Sequence, residues 1–338
     1  MPYLLIPQFA LTTSLTAILS KVWASLITTL SYLPGLLTLH HSLTLTKTAY
    51  PFVALYTPSF PPSGLEALRR RGIATLAVPF VKPTSTPKHG YAHDPRFEDA
   101  WNKLVVFSLE GVFERVVLLD GDMLVRRNMD ELMEVPLDGD EQTGDEGDSE
   151  LNAEGKRIFA ASHACACNPM KKAHYPAHWI PENCAFTTQH LVSELAQKAA
   201  APCTSGVGMI NSGLLVVRPS HRHFATIQRF LDDAEKVDSY TFPDQELISE
   251  AFRERWAPLP YVYNALKTMR PRDVHGAIWR DEEVKNVHYI FAVKPWQEGP
   301  PAVDHETGES TDVLNAWWWE VNTDRQKYEQ ERGIEDGY

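Results

Sequence analysis

The sequence predicts an α/β protein in which helices cover both faces of a mostly parallel, Rossmann-like sheet. Short apolar segments rich in Val, Leu and Thr alternate with segments whose leucines recur at helical spacing, and this alternation favours right-handed βαβ units. Residues 114–125 also contain an unbroken Val-Val-Leu-Leu run, which is typical of a strand covered on both faces. A chain of 338 residues can bury such a core without disulfide or metal crosslinks.

The first part of the chain predicts two strand and helix pairs. The strand that begins at Lys21 ends in a Thr-Thr-Leu-Ser turn, and the leucine spacing over residues 32–45 predicts the first helix. Residues 50–57 form the second predicted strand, which a proline-rich segment closes. A short helix at 65–71 follows and ends at Gly72.

The alternation continues beyond this point. A third strand is predicted at 74–80, and a helix at 97–109 precedes the strand that stops at Asp120. A turn and strand follow at 206–220, and two helices at 221–236 and 243–252. The last strand is predicted at 284–293 and a tail helix at 312–332. The tail is amphipathic, so its tryptophans are expected to pack on the domain.

These elements predict a single domain at 21–300, between an N-terminal extension at 1–20 and a tryptophan-rich helical tail at 301–338. Residues 138–150 are acidic and glycine-rich and predict a solvated loop insertion. The first 20 residues are apolar but have no basic n-region, so an extension is favoured over a signal or anchor and over an incorrectly assigned start. The expected location is the cytoplasm, with the secretory pathway as the alternative that this apolar segment leaves open.

The charge balance excludes one class of partner. Lys and Arg number 32 against 44 Asp and Glu, a net charge of −12, whereas nucleic-acid binding needs a basic face. Membrane binding is not expected, because the apolar N-terminal segment contains prolines and many hydroxyl side chains. An acidic protein binds an acidic small molecule through a divalent cation or a few placed Lys and Arg side chains. A homodimer is left open as the assembly state.

The four cysteines, Cys165, Cys167, Cys184 and Cys203, lie within one stretch of the chain. This distribution is not that of a secreted disulfide framework. Buried free thiols are the favoured interpretation. A tetrahedral zinc site made by the cysteines, or with His163 in place of one of them, is the first alternative, and a disulfide is the second.

The most informative short motif is Asp120-Gly121-Asp122, which follows the predicted buried strand. Open α/β sheets bind ligands beyond the carboxyl ends of their strands. Two carboxylates separated by one residue can turn toward one hard cation, and Mg²⁺ or Mn²⁺ held in this way keeps coordination positions for phosphate oxygens. A second Asp-Gly-Asp triplet begins at Asp138 in the acidic loop and is interpreted as an ordinary solvated turn.

Six segments in matching order resemble the glycogenin-like glycosyltransferases of family 8 over about residues 21–296. They are LITTLSYLPG, WNKL, VVLLDGDMLVRRNMDEL, NSG, the Asp244-Gln245 pair and VHYIFAVKPW. The cysteine stretch is similar to what the fungal and plant branches insert, the latter including galactinol synthases. The resemblance implies a GT-A type nucleotide-diphospho-sugar transferase fold, a Mn²⁺ or Mg²⁺ cofactor and a UDP-sugar donor.

The resemblance also implies roles for individual side chains. Asp120, Asp122 and His288 would hold the metal, and an imidazole beside two carboxylates suits Mn²⁺. Asp244 and Gln245 would lie near the anomeric carbon as catalytic residues. The donor-binding residues would be Leu26, Thr28, Thr29 and Tyr32 at uracil and ribose, Lys103 at the phosphate or sugar, Gly121 in the metal turn, Asn211, Ser212 and Gly213 at the sugar, and Lys294 with Trp296 at the diphosphate.

Lys294 is expected to act in catalysis as well, because its charge can offset the charge that develops on a departing diphosphate.

The chain departs from the family pattern in three places. Thr29 stands where relatives often have Asn, and Phe291 stands where they usually have Gly. Residues 265–280 contain no tyrosine, although glycogen primers carry their acceptor tyrosine there, so self-glucosylation is not expected.

The function that these observations predict is a metal-dependent, retaining hexosyltransferase using UDP-glucose or UDP-galactose. The acceptor would be a glycan, a polyol or a protein, so galactosyl transfer to inositol and glucosyl transfer to a glycan or protein both stay open. The alternative is a non-catalytic sugar-nucleotide or glycan-binding protein on the same fold, because a fold does not by itself imply a function.

Overall fold

A seven-stranded sheet forms the centre of the protein in the computed structural model, which describes residues 21–85, 87, 91, 95, 97–137, 157–304 and 310–338. The predicted N-terminal extension and the acidic loop at 138–150 lie outside these residues. No helix in the described ranges combines the length and the apolar character needed to cross a membrane.

The strands are ordered β3-β2-β1-β4-β7-β6-β8 across the sheet. Their bounds are β1 Lys21–Ile27, β2 Phe52–Tyr56, β3 Ala74–Ala77, β4 Arg115–Leu119, β6 Phe159–His163, β7 Ile210–Val217 and β8 Trp256–Pro258. β7 is antiparallel to both of its neighbours, whereas the other neighbouring pairs are parallel. The predicted mostly parallel sheet is therefore confirmed.

Helices cover both faces of this sheet. They are α1 Leu33–Leu45, α2 Pro62–Arg70, α3 Phe97–Ala100, α4 His221–Leu231, α5 Ala234–Ser239, α6 Pro243–Ala251, α7 Pro295–Glu298 and α8 Val313–Gln330. Successive residues of a strand face opposite sides, so Val22 of β1 packs with α4 and α6 while Trp23 packs with α1 and α2. Trp23 is fully buried, and its contact area makes it a large contributor to the core.

A smaller three-stranded sheet extends the carboxyl end of β4. It has the order β5-β10-β9, with bounds Met123–Val125 for β5, Ala265–Leu266 for β9 and Asn286–His288 for β10. β10 is antiparallel to β5, and the register sets His288 opposite Met123. This pairing carries a histidine from late in the chain to the residue that follows Asp122.

Four predicted elements differ in extent from the observed ones, and one of them, the helix predicted at 221–236, is two helices, α4 and α5. The helix predicted at 97–109 is α3 followed by a 3₁₀ helix at Trp101–Ser108, in which almost every side chain is buried. The third strand ends at Ala77: Val78 N–H still donates to the Tyr56 carbonyl at 2.9 Å, but Pro79 has no N–H with which to continue the ladder. The last strand is only β10: Tyr289 N–H still donates to the Asp122 carbonyl in the register of the β5 pairing, and the chain then bends at 291–293.

The tail helix α8 packs on the domain. Trp318 is fully buried, and Trp319 Nε1 donates to the Pro295 carbonyl at 3.0 Å. Asn322 accepts a hydrogen bond from Thr38 of α1 at 2.9 Å. At the other end of α8, Arg71 is paired with Glu329 and Asp336, each at 2.7 Å.

The cysteine segment gives a different ligand set from either zinc hypothesis. Cys203 Sγ donates to the Glu254 carbonyl at 3.6 Å, and His163 Nε2 is 3.0 Å from the Ala201 carbonyl. Both are therefore engaged elsewhere, and the expectation that one of them completes a metal site is wrong. The other three cysteines lie around His275 instead, and all four thiols are free.

Candidate active site

The turn that carries the two aspartates is fixed on both sides by backbone hydrogen bonds. Asp120 N–H donates to the Gly213 carbonyl at 2.8 Å, and the Asp122 carbonyl accepts from Tyr289 N–H at 2.9 Å. β4 ends at Leu119, directly before this turn. The acidic pair thus lies beyond the carboxyl end of a central strand, where α/β sheets bind ligands.

His288 faces this acidic pair from β10. Its Nε2 atom is 3.4 Å from Asp122 Oδ1 and 3.8 Å from Asp120 Oδ2. One ligand atom from each of the three residues lies within 4.8 Å of the others. Two side chains from one turn and one from a distant strand therefore converge on a single point.

A chain of hydrogen bonds orients the His288 ring. Asn264 Oδ1 is 2.9 Å from His288 Nδ1, and Asn264 Nδ2 donates to Asn211 Oδ1 at 2.8 Å. Asn211 Oδ1 also accepts the Gly213 N–H at 3.1 Å. Because Asn264 presents an oxygen, His288 Nδ1 carries the proton, and the lone pair of Nε2 is directed at the carboxylates.

Two lysines bind the carboxylates from opposite sides. Lys103 Nζ donates to Asp120 Oδ2 at 2.7 Å and is 3.8 Å from Asp244 Oδ2. Lys294 is 1% exposed, and its Nζ donates to Asp122 Oδ2 at 2.5 Å and to the Tyr289 carbonyl at 2.7 Å. Each carboxylate of the turn therefore has its own cation, the partly exposed Asp120 as well as the buried Asp122.

The two aspartates have opposite pKa shifts. Burial raises the pKa of Asp122, but the charge of Lys294 and its hydrogen bond outweigh burial and hold that pKa well below the usual range. Burial also raises the pKa of Asp120, where Lys103 opposes the shift and the neighbouring Asp122 carboxylate adds to it. Like charges this close favour an arrangement in which a cation is shared between them.

The residues present fit a divalent cation. Asp122 Oδ1 is buried and accepts no hydrogen bond from any side chain or backbone group in the described ranges. A buried carboxylate oxygen without a donor is costly unless a ligand satisfies it. Two carboxylates and one imidazole nitrogen form a donor set suited to Mn²⁺.

Two glycines make the close packing of this site possible. A Cβ atom at Gly213 would lie 2.3 Å from His288 Cε1, and one at Gly35 would lie 2.3 Å from the Gly121 carbonyl oxygen. Real atoms do not approach so closely. The absence of a side chain at Gly213 therefore leaves the space that the His288 ring occupies.

A cavity of about 680 Å³ opens beside the acidic turn. Its lining includes most of the residues predicted to bind the donor or the metal: Leu26, Thr28, Thr29, Tyr32, Lys103, Asp120, Gly121, Asp122, Asn211, Ser212, Gly213, Asp244, Gln245 and His288. Phe291, at the position where relatives have glycine, also lines it. Its size is that of a small-molecule site.

Two predicted donor-site residues lie behind this lining. Lys294 is buried beneath Asp122, as its hydrogen bonds show. Trp296 donates its Nε1 proton to the Ser31 carbonyl at 2.9 Å and meets the Tyr32 ring edge to face, with 5.8 Å between ring centroids. Both therefore contact the residues that face the cavity.

Sequence reasoning did not find Asn264 or the wall that the cysteine segment supplies. Asn264 follows the apolar Leu-Pro-Tyr-Val-Tyr run, and nothing local distinguishes it from a turn residue. The wall residues are Asn168, Met170, Lys172, His174, Tyr175 and Trp179. The cluster of aromatic, basic and amide side chains in that segment was the available signal.

Glu246, in the first turn of α6, gives a pH-dependent prediction. It accepts the backbone N–H groups of Thr241 and Phe242, but burial outweighs these bonds and, with the charges of Glu250 and Asp244, raises its pKa to about 7. Between its ordinary pKa near 4.5 and 7, the folded chain keeps a proton that the unfolded chain has lost. Stability from this group is therefore lost as the pH rises through that window.

We expect the unfolding free energy of the wild type to fall relative to that of Glu246→Gln between about pH 4.5 and pH 7. The slope should approach roughly 1.4 kcal/mol per pH unit where the two states differ by one proton. Urea unfolding in EDTA measures both proteins without a metal contribution. A difference that stays constant with pH would contradict the raised pKa.

Solved structures place the fold in a known class. The chain superposes on the glycosyltransferase GlyE of Streptococcus pneumoniae with a TM-score of 0.52 at 16% identity, covering 94% of this chain and 65% of that one. It also superposes on an active-site mutant of LgtC with a TM-score of 0.51 at 15% identity, covering 90% and 95%. The fold is that of the GT-A glycosyltransferases, as the sequence predicted.

The family follows from the sequence comparison. Residues 25–299 match the model of glycosyl transferase family 8, so the chain belongs to that family and is a glycosyltransferase. Galactinol synthase 3 of Arabidopsis thaliana is 26% identical over 301 residues, covering 87% of this chain and 78% of that protein. Galactinol synthase 1 of Ajuga reptans is 25% identical over 295 residues, with the same coverage.

Proposed function

We propose that the protein is a metal-dependent, retaining hexosyltransferase that uses UDP-glucose or UDP-galactose. The observation that carries the proposal is the convergence of Asp120, Asp122 and His288 on the wall of the cavity. A protein that only bound a sugar nucleotide would not need a buried metal shell with two lysines behind it. Release of UDP from the donor distinguishes the two functions.

The cavity lining supports a division of roles. Leu26 lies at the carboxyl end of β1 and Thr28, Thr29 and Tyr32 follow that strand, and we assign these four residues to uracil and ribose. Asn211, Ser212 and Gly213, at the start of β7, are assigned to the donor sugar. Both groups line the same cavity as the acidic turn, so a diphosphate between them would lie beside the metal ligands.

The chemistry needs charge stabilisation more than a strong base. Mn²⁺ held by Asp120, Asp122 and His288 would supply Lewis-acid charge to offset the negative charge on the departing diphosphate. Lys103 holds Asp120 in place and reaches toward Asp244, while the Lys294 charge lies directly behind Asp122. These side chains provide a preorganised electrostatic environment for bond breaking.

Two routes would retain the anomeric configuration. In one, the acceptor attacks from the face that the leaving group departs, and a phosphate oxygen takes the acceptor proton. In the other, Asp244 or Gln245 forms a bond to the anomeric carbon as the bond to UDP breaks, and the acceptor oxygen then displaces that residue and gives up its proton. Asp244 Oδ2 is buried and accepts no hydrogen bond from the described part of the chain, so it is available for either a polar contact or attack.

The acceptor is proposed from the relatives and from the cavity. Several curated relatives are galactinol synthases, so UDP-galactose with inositol is the first pair to test, before UDP-glucose with a glycan or protein. The wall that contains Asn168, Lys172 and Tyr175 offers polar groups to a hydroxylated acceptor. Product mass from a panel of donors and acceptors would identify the pair.

Binding of UDP should depend on Mn²⁺. A chain with a net charge of −12 cannot otherwise gather a diphosphate at a turn made of aspartates. Calorimetry should show UDP affinity reduced on the order of 10²-fold in EDTA. Uridine is the matched control, because it has no phosphate and should bind equally in both buffers. Undiminished UDP affinity in EDTA would exclude the metal bridge.

The chain should not glycosylate itself. Tyr261 is fully buried, with its hydroxyl donating to the Ile278 carbonyl, and the Tyr263 hydroxyl donates to Glu131 at 2.7 Å. These are the tyrosines nearest to the segment 265–280, where glycogen primers carry their acceptor. Intact mass should therefore stay unchanged after incubation with a UDP-hexose and Mn²⁺. Mass increases in steps of one hexose that disappear in Asp122→Asn would contradict this.

A further inference from the structure

A second group of metal-binding side chains lies in the cysteine segment. Cys165 and Cys167 follow β6, Cys184 follows the 3₁₀ helix Pro181–Asn183, and His275 comes from the segment after β9. One ligand atom from each residue lies within 4.8 Å of the other three. Three separate parts of the chain thus bring three thiols and one imidazole together.

The three sulfur atoms surround one nitrogen atom. His275 Nε2 is 3.3 Å from Cys165 Sγ, 3.3 Å from Cys167 Sγ and 3.5 Å from Cys184 Sγ. A ring nitrogen has one proton or one lone pair, so it cannot make three good hydrogen bonds at once. The arrangement is the one expected of four ligands around a common centre.

A second histidine sets the state of this nitrogen. His190 Nε2 is 2.9 Å from His275 Nδ1. With Nδ1 donating its proton to His190, the Nε2 atom of His275 carries a lone pair that is directed at the sulfurs. A partner of this kind on the far ring nitrogen is the usual support of a metal-bound histidine.

We propose that Cys165, Cys167, Cys184 and His275 bind one zinc ion in a closed tetrahedral site. Three thiolates and one imidazole are a common structural zinc set, whereas the carboxylate-rich site at Asp120 suits a harder cation. Four protein ligands fill a tetrahedral zinc shell, so the site keeps no open position for a substrate, and three of the four, Cys165, Cys184 and His275, are buried. The zinc is structural, and it does not depend on the function proposed above.

The position of the zinc site indicates which part of the protein the ion would stabilise. Cys167 and Cys184 are the two ends of the segment that supplies the cavity wall with Tyr175 and Trp179. Trp179 stacks on Phe242 with 4.8 Å between ring centroids, and Phe242 is the residue that precedes helix α6. The zinc would thus hold this wall against the helix that carries Asp244 and Gln245.

Metal analysis and X-ray absorption of the purified full-length protein test the proposal. We expect one zinc per chain, with three sulfur neighbours at about 2.3 Å and one nitrogen at about 2.0–2.1 Å. His275→Ala and Cys184→Ala should reduce the zinc content to nearly none. Cys203→Ala is the matched cysteine control, and Asp122→Asn is the control for the other metal site; both should keep the full zinc content.

Two measurements on the wild type keep the test valid if the ligand variants do not fold. Denatured, chelated and unreduced protein should show four reactive thiols, whereas two would indicate a disulfide and overturn the proposal. Chelation of the native protein should raise amide hydrogen exchange in residues 168–184 and leave β7 unchanged. Zinc with only oxygen and nitrogen neighbours, or a wild type without zinc after expression and reconstitution with zinc, would also overturn it.

Discussion

Asp122→Asn should lower the rate of UDP release from a UDP-hexose by about 10³-fold or more, because a metal ligand that supplies several kcal/mol of transition-state stabilisation is lost. Asp122 holds Lys294 through one oxygen and presents the other, buried and without a hydrogen-bond donor from the described residues, toward His288. An amide at this position removes the negative charge that pairs with Lys294 and that the proposed metal ion would need. Turnover measured with saturating Mn²⁺ gives the size of the effect.

The matched control is Asp138→Asn, which makes the same chemical change in the other Asp-Gly-Asp triplet. It should leave the rate within about twofold of the wild type, because the acidic, glycine-rich composition of residues 138–150 predicts a loop with no part in the site. Circular dichroism and gel filtration must accompany the assay, since an unpaired Lys294 in Asp122→Asn could cost roughly 3–5 kcal/mol of stability. Equal losses of activity in two folded variants would show that the wrong triplet had been chosen.

The sheet and the Asp-Gly-Asp turn beyond β4 could be predicted because their signals are local. The Val-Val-Leu-Leu run of β4 is buried on both faces, with Val116 and Leu118 on one side and Val117 and Leu119 on the other. A strand that is buried on both faces is a nearly continuous run of apolar residues, so its sequence indicates a strand before the fold is known. The Asp-Gly-Asp turn follows it directly, so the position of the acidic pair came with the strand.

Contacts between distant parts of the chain could not be predicted in the same way. Asn264, which orients the His288 ring, is 24 positions from it in the sequence, and His275 is 91 positions from Cys184. Neither pairing has a periodicity or a fixed spacing in the sequence. The zinc hypotheses therefore used Cys203 and His163, which are near Cys165 and Cys167 in the sequence. In the fold, it is His275 that lies beside the thiols. The resemblance to family 8 supplied His288 and Lys294, which composition and spacing alone would not have selected.

Lys294→Ala should reduce turnover by on the order of 10²-fold or more, with a smaller change in UDP affinity. Its ammonium lies behind Asp122 and is 1% exposed, so it acts from a site with little solvent screening. In the proposed mechanism, charge develops on the diphosphate as the bond to the sugar breaks, and the lysine would stabilise that state more than the bound donor. Steady-state kinetics and UDP calorimetry on the same variant separate the two quantities.

Two further variants serve as controls: Lys294→Met for the packing of the side chain and Lys198→Ala for the change in net charge. Methionine keeps an unbranched stem and loses the charge, so it should reproduce most of the loss in turnover if the charge is responsible rather than the packing. Lys198 is exposed, and its removal changes the net charge by the same amount with no expected effect on rate. If Lys294→Met raised only the KM for the donor, Lys294 would bind the ground state. If both variants of Lys294 weakened Mn²⁺ binding and left the rate at saturating metal unchanged, its role would be to position Asp122.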